Sequence, residues 1–163
     1  MADFELATAR VLADCINPAL VFALVVAPTL PGTRNGLDRS SGRSAYARYV
    51  VVCAAGIGVA VVLAEVGKHF GEWSGHGGFP SGHETFGAAV AALLIVRDRR
   101  WAVVALPVTA LLAWSLVRAG YHSPADVTAG FLLGAGVAWG VKRLLDGTSR
   151  LGPDARGMAG TAS

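Results

Sequence analysis

The chain has 163 residues, of which 53% are hydrophobic and only 15% charged, with a net charge of +3. A soluble domain usually carries about 25% charged residues, and here the apolar runs continue past ordinary helix length, which excludes a typical soluble globular domain. The positive charges sit between apolar stretches rather than among aromatics on a polar surface, which argues against nucleic-acid binding.

In chain order, the first segment opens with Asp3 and Glu5 where a secretory signal would place a basic region. Five apolar stretches follow, at about residues 7–30, 46–66, 82–96, 101–118 and 125–141. A membrane-crossing helix needs roughly 17–25 residues, so the third and fifth read as short spans whose ends are recessed. Cys15 and Cys53 lie inside apolar segments at expected opposite depths, and are read as small buried packing residues rather than a disulfide. Gly56, Gly58, Gly130, Gly134 and Gly136 are read as small faces for close helix packing. The expected fold is all-α, an integral membrane bundle of five transmembrane helices. Residues 1–147 form one membrane-embedded unit, and residues 148–163 a disordered cytoplasmic tail rich in small residues.

If successive spans are antiparallel, Arg34, Arg39, Arg43, Arg48, Arg97, Arg99, Arg100, Lys142, Arg143, Arg150 and Arg156 share one side. Only Arg10, Lys68 and Arg118 lie on the other. The positive-inside rule then places the N-terminus outside and the C-terminus in the cytoplasm. The composition and lack of targeting features fit a bacterial inner membrane.

All four histidines, His69, His76, His83 and His122, fall on the side poor in Lys and Arg, with Lys68, Glu72, Ser81, Glu84, Arg118 and Asp126. Ionisable groups at membrane depth are costly and usually functional. Two local patterns stand out. In Phe79-Pro80-Ser81-Gly82-His83 a turn opens the third span. Ser81 is placed to cap that helix, and Gly82 lets backbone N–H groups approach an anion at its positive end. In His122-Ser123-Pro124-Ala125-Asp126 the carboxylate lies four residues after the histidine, a spacing that lets it fix the ring tautomer. Two histidines on opposed helix ends suit displacement at phosphorus, one attacking and the other protonating the leaving oxygen. Each pattern alone also fits a structural role, an ordinary helix cap or a satisfied buried His–Asp pair.

Pro80-Ser81-Gly82-His83, followed by Ser115, His122 and Asp126 at their spacing, resembles the type 2 phosphatidic acid phosphatase family, the integral-membrane lipid phosphate phosphatases. The resemblance runs from about residue 46 to 141. It implies that His122 is the nucleophile forming a phosphohistidine, oriented by Asp126, and that His83 is the general acid. It also implies that Lys68, Ser81 and the Gly82 backbone hold phosphate oxygens, with no cofactor and no metal. The family's Arg-Pro after the motif lysine is replaced by Gly75-His76, and Leu116 stands where its second arginine is expected. His76 and Arg118 are the candidate replacements for substrate binding. Arg118 serves only if the helix has ended, because two positions rotate it about 200° from residue 116.

The expected substrate is a phosphomonoester or diphosphate of a membrane lipid: a polyprenyl diphosphate, phosphatidic acid or phosphatidylglycerophosphate. Two alternatives stand beside it. One is a metal-dependent membrane hydrolase using the histidines with Glu72, Glu84 and Asp126. The other is a non-catalytic lipid-phosphate binder or transporter. Asp14 and Asn17 are left outside the catalytic set, and Glu65 is read as a one-turn partner of Lys68.

Overall fold

The computed structural model describes residues 2–29, 42–69 and 78–150, and these are helical with short connections. Among the described residues there are five long helices: α1 (Ala2–Val26), α2 (Gly42–His69), α3 (Gly82–Arg97), α4 (Ala102–Arg118) and α5 (Pro124–Arg150). A short 3-10 turn, Ala27–Thr29, follows α1, and another, Arg99–Trp101, precedes α4. No strand occurs among the described residues.

Helix α3 is the centre of the bundle and packs against each of the other four. Its Ala88, Ala89, Val90, Ala91, Leu93 and Leu94 are all buried. At 16 residues it is about 24 Å long, short of a hydrocarbon core of about 30 Å. Among the described residues four helices are long and apolar enough to cross a membrane: Asp3–Thr29, Ala45–His69, Arg99–Arg118 and Pro124–Asp146. The expected third span is a helix of 16 residues at the centre of the bundle, shorter than these four. Phe4, Val62, Val103, Leu132 and Leu144 are exposed around the outside, an apolar surface suited to lipid and not to water.

Helix α5 corrects the expectation of a short fifth span, since it runs to Arg150 rather than stopping near residue 141. Charged side chains end the apolar run without ending the helix, because backbone hydrogen bonding continues wherever the side chains can reach water or partners. The beginning of the expected tail, residues 148–150, is accordingly helical, and residues 151–163 lie outside the described residues.

Close packing of α5 on α3 depends on two of the expected glycines. A Cβ on Gly134 would come within 2.0 Å of the Thr85 carbonyl oxygen, and one on Gly130 within 2.6 Å of the Ser81 carbonyl oxygen. Gly56 of α2 meets Ala138 of α5 at ordinary contact distance. Gly58 and Gly136 differ from expectation, with open space where a side chain would go. Cys53 is buried, whereas Cys15 is exposed on α1, so only one of the two is a core packing residue; both are free thiols.

Helices α1 and α2 do not pack along their length. They are linked where the Tyr49 hydroxyl donates to the Leu24 carbonyl (2.8 Å). The gap above that bond is where the candidate site opens.

Candidate active site

The turn before α3 is tied down from three directions. Ser81 is the N-cap, in extended backbone conformation, and its hydroxyl oxygen accepts from the Glu84 N–H (3.3 Å). Its own N–H donates to the Asp126 carbonyl (3.0 Å), which fastens the start of α3 to the first turn of α5. The Thr85 hydroxyl donates to the Ser81 carbonyl (2.8 Å). Ser81 and Glu84 have the spacing of a capping box, but the Ser81 N–H that the glutamate would accept is already committed to Asp126. The Glu84 carboxylate turns instead toward α4 and α5, into a cavity of about 300 Å³ shared with Thr109 and Phe131. Both of its oxygens are buried there without a hydrogen-bond partner.

Gly82 faces the Lys68–Glu65 ion pair at the end of α2, whose N–O separation is 2.7 Å. A Cβ on Gly82 would lie 2.8 Å from the Glu65 carboxylate and 3.4 Å from the Lys68 nitrogen. A side chain here would push the ends of this pair aside.

His122 belongs to the connection between α4 and α5. Helix α4 closes with the Ala119 N–H donating to the Ser115 carbonyl (2.9 Å), and the chain turns at Gly120 with φ +76°. Ser123 and Asp126 then form a reciprocal cap of α5. The Asp126 N–H donates to the Ser123 hydroxyl (3.2 Å), and the Ser123 N–H donates to the Asp126 carboxylate (2.8 Å). The same carboxylate oxygen lies 3.9 Å from His122 Nδ1, within ion-pair reach but longer than a hydrogen bond. Asp126 is therefore first a helix cap, with His122 at its edge. His122 Nδ1 is buried and makes no hydrogen bond. Burial holds the imidazole below its ordinary 6.5; the Asp126 carboxylate opposes this, and His83 and Lys68 add to it.

Lys68, Gly82, His83 and His122 come together on a single cavity of about 990 Å³ between α1, α2 and α3. Ser81 and Asp126 are buried immediately behind it. Arg118 is not brought there. Helix α4 continues through residue 118, and the guanidinium donates to Glu5 of α1 at 2.7 Å. The expected substitute for the family arginine is thus an anchor between two helices. Leu116, at the family's arginine position, is fully buried in the core. His76 and Glu72 lie outside the described residues. His69 is exposed at the end of α2 and does not line the cavity. Glu84 faces a different cavity from the histidines, and no group of three His, Cys, Asp or Glu side chains suited to a metal occurs among the described residues.

Two residues that sequence reasoning set aside belong to the site. Asp14 and Asn17 both line the cavity, and the Asn17 amide donates to the His83 carbonyl (3.1 Å). Gly87 makes this approach possible, since a Cβ there would stand 2.9 Å from the Asn17 side-chain oxygen. An Asp and an Asn one turn apart inside an apolar helix, just before Pro18, was the available signal. The cavity charge is mixed, with Asp14 and Glu65 beside Lys68 and the two histidines.

Neither a curated protein nor a solved structure matches the chain. The model of the PAP2 superfamily matches residues 59–150, which takes in Lys68, both histidines and Asp126. With more than half of its length matched in this way, and with the superfamily's phosphatase chemistry on phosphate esters consistent with the residues gathered on the cavity, the chain belongs to the PAP2 superfamily.

Proposed function

We propose that the protein hydrolyses a phosphomonoester or diphosphate of a membrane lipid through a phosphohistidine on His122. The observation that carries this reading is that His83 and His122, from different helix ends, line one cavity with Lys68 and Gly82. In the first step a ring nitrogen of His122 attacks phosphorus as the bond to the leaving oxygen breaks, and His83 gives that oxygen its proton. In the second, water attacks the phosphohistidine, His83 takes a proton from it, and inorganic phosphate departs with His122 restored. Burial of His122 favours the neutral imidazole, which is the form that attacks. Lys68 and the N–H groups at the start of α3 meet the phosphate oxygens.

The substrate candidates are a polyprenyl diphosphate, phosphatidic acid and phosphatidylglycerophosphate. The arginine distribution supports a site facing the outside of a bacterial inner membrane. The test is phosphate release from these lipids in detergent, with and without EDTA, for wild type and His122→Ala. The expected result is release that EDTA leaves intact and His122→Ala abolishes. Release that vanishes in EDTA would instead assign a metal-dependent hydrolase. Lipid binding without turnover would assign a binder or transporter.

A further inference from the structure

His83 is the second residue of α3 and is exposed on the cavity, so packing around its ring does little to place it. The ring follows the backbone of the first turn, because a helical side chain leans back toward the N-terminus from its own Cα. That turn is fastened to α5 by the Ser81 N–H, which donates to the Asp126 carbonyl. It also meets α1, where the Asn17 amide donates to the His83 carbonyl at 3.1 Å. Within α3 the same carbonyl accepts from the Gly87 N–H four residues on, and its second lone pair takes the Asn17 bond.

Stability does not account for an asparagine at this position. Ile16 and Leu20, beside it on α1, are buried in the core and supply the packing. The Asn17 side-chain oxygen is buried against Gly87 and has no hydrogen-bond partner among the described residues. A buried acceptor left unmet costs as much as a typical hydrogen bond contributes, or more. A leucine, close to asparagine in shape, would carry neither the cost nor the bond. A polar residue kept at no gain in stability marks a place where function sets the choice. Helix α1 lies outside residues 59–150, so the family match assigns Asn17 no role.

We infer that Asn17 is a positioning residue for His83, clamping the first turn of α3 from the α1 side so that the His83 ring is held at the leaving oxygen. This rests on the phosphatase reading for the proton that His83 gives. Asn17 acts through the His83 backbone, so its loss misplaces the acid without removing it.

The test is Asn17→Leu in the detergent-solubilised full chain. Two substrates are compared: the best hydrolysed of the three lipids, and dinitrophenyl phosphate, whose leaving group needs no proton. For the lipid, kcat is expected to fall about ten- to a hundredfold while KM stays within about twofold. For dinitrophenyl phosphate the fall stays within about twofold. Added to His83→Ala, Asn17→Leu lowers kcat by less than about a further twofold, because the group it positions is gone. Thermal stability holds or rises. Asn17→Ala, which removes the same donor with a smaller side chain, repeats the pattern of rates. Equal losses for the two esters, or a loss that adds in full to His83→Ala, would overturn the clamp and leave the phosphatase reading standing. The His83 ring signals in magnetic resonance of histidine-labelled protein, assigned through His83→Gln, give a readout without turnover. Asn17→Leu is expected to move them and to leave those of His69, outside the cavity, in place. If no lipid releases phosphate, the phosphatase reading fails. Displaced His83 signals then keep the clamp, whereas unmoved signals remove it.

Discussion

The two ends of the bundle treat charge differently. At the arginine-rich end four cations have a structural occupation. Arg97 lies 4.8 Å over the Tyr49 ring and Arg143 lies 5.1 Å over Trp139. Arg48 and Lys142 converge on Asp146. At the histidine end, Lys68, His83 and His122 all face one cavity, and His122 Nδ1 makes no hydrogen bond. Lys68 is paired with Glu65, but that pair lies on the cavity, within reach of a ligand, whereas the pairs of the other end anchor helices. Arg118 sits at the histidine end yet follows the rule of the other end, because Glu5 takes its charge.

The sharpest way to break this contrast is to remove one side chain from each end. His122→Ala is expected to lower phosphate release at least about a thousandfold, and His83→Ala by about a hundred- to ten-thousandfold. The His83 loss shrinks for an ester whose leaving group needs no proton. Arg143→Gln should change the rate by less than about twofold. Equal losses at both ends would erase the distinction.

Packing offers a second contrast within α5. Gly134→Ala forces a methyl group into the Thr85 backbone and should cost about 3 kcal/mol, seen as a large drop in thermal stability. Gly136→Ala meets open space and should stabilise the helix by up to about 1 kcal/mol.

Smaller effects separate the two cations at the histidine end. Lys68→Met should raise KM about tenfold through loss of a phosphate partner. Arg118→Ala should leave KM unchanged and lower stability by at most about 1 kcal/mol, since that pair is half-exposed. A KM effect at Arg118 would return it to the substrate.

The smallest effect is in pH. His122 is held below 6.5 by burial, and the neutral ring attacks, so the acid limb of the rate profile should lie below pH 6.5. The sign for stability follows from the same shift. Below 6.5 the unfolded chain takes up the proton first, so stability falls with falling pH and levels off below the folded-state value. His122→Gln should remove that slope.

Hydropathy made the helices and their order legible because the cost of polar backbone in lipid is local to each segment. It did not reveal that α3 is enclosed by the other helices, or that α5 passes its last apolar turn. The Pro80-Ser81-Gly82-His83 turn and the His122–Asp126 spacing marked where the site lies. The same letters hid a second role. Ser123-Pro124-Ala125-Asp126 is also a helix cap, and that cap holds Asp126 3.9 Å from the ring. Arg118, a candidate phosphate ligand, pairs with Glu5, a partner 113 residues away in the chain that spacing could not show. Asp14 and Asn17 were set aside for the corresponding reason, since only the placement of α1 against α3 gives them neighbours.

The most direct measurement is to quench the full-length protein during turnover of a lipid labelled in its phosphate and locate the label by peptide mass. An acid-labile phosphoryl group on the His122 peptide, absent in His122→Ala, is the predicted result. A label on another residue, or release at the wild-type rate from His122→Ala, would contradict it.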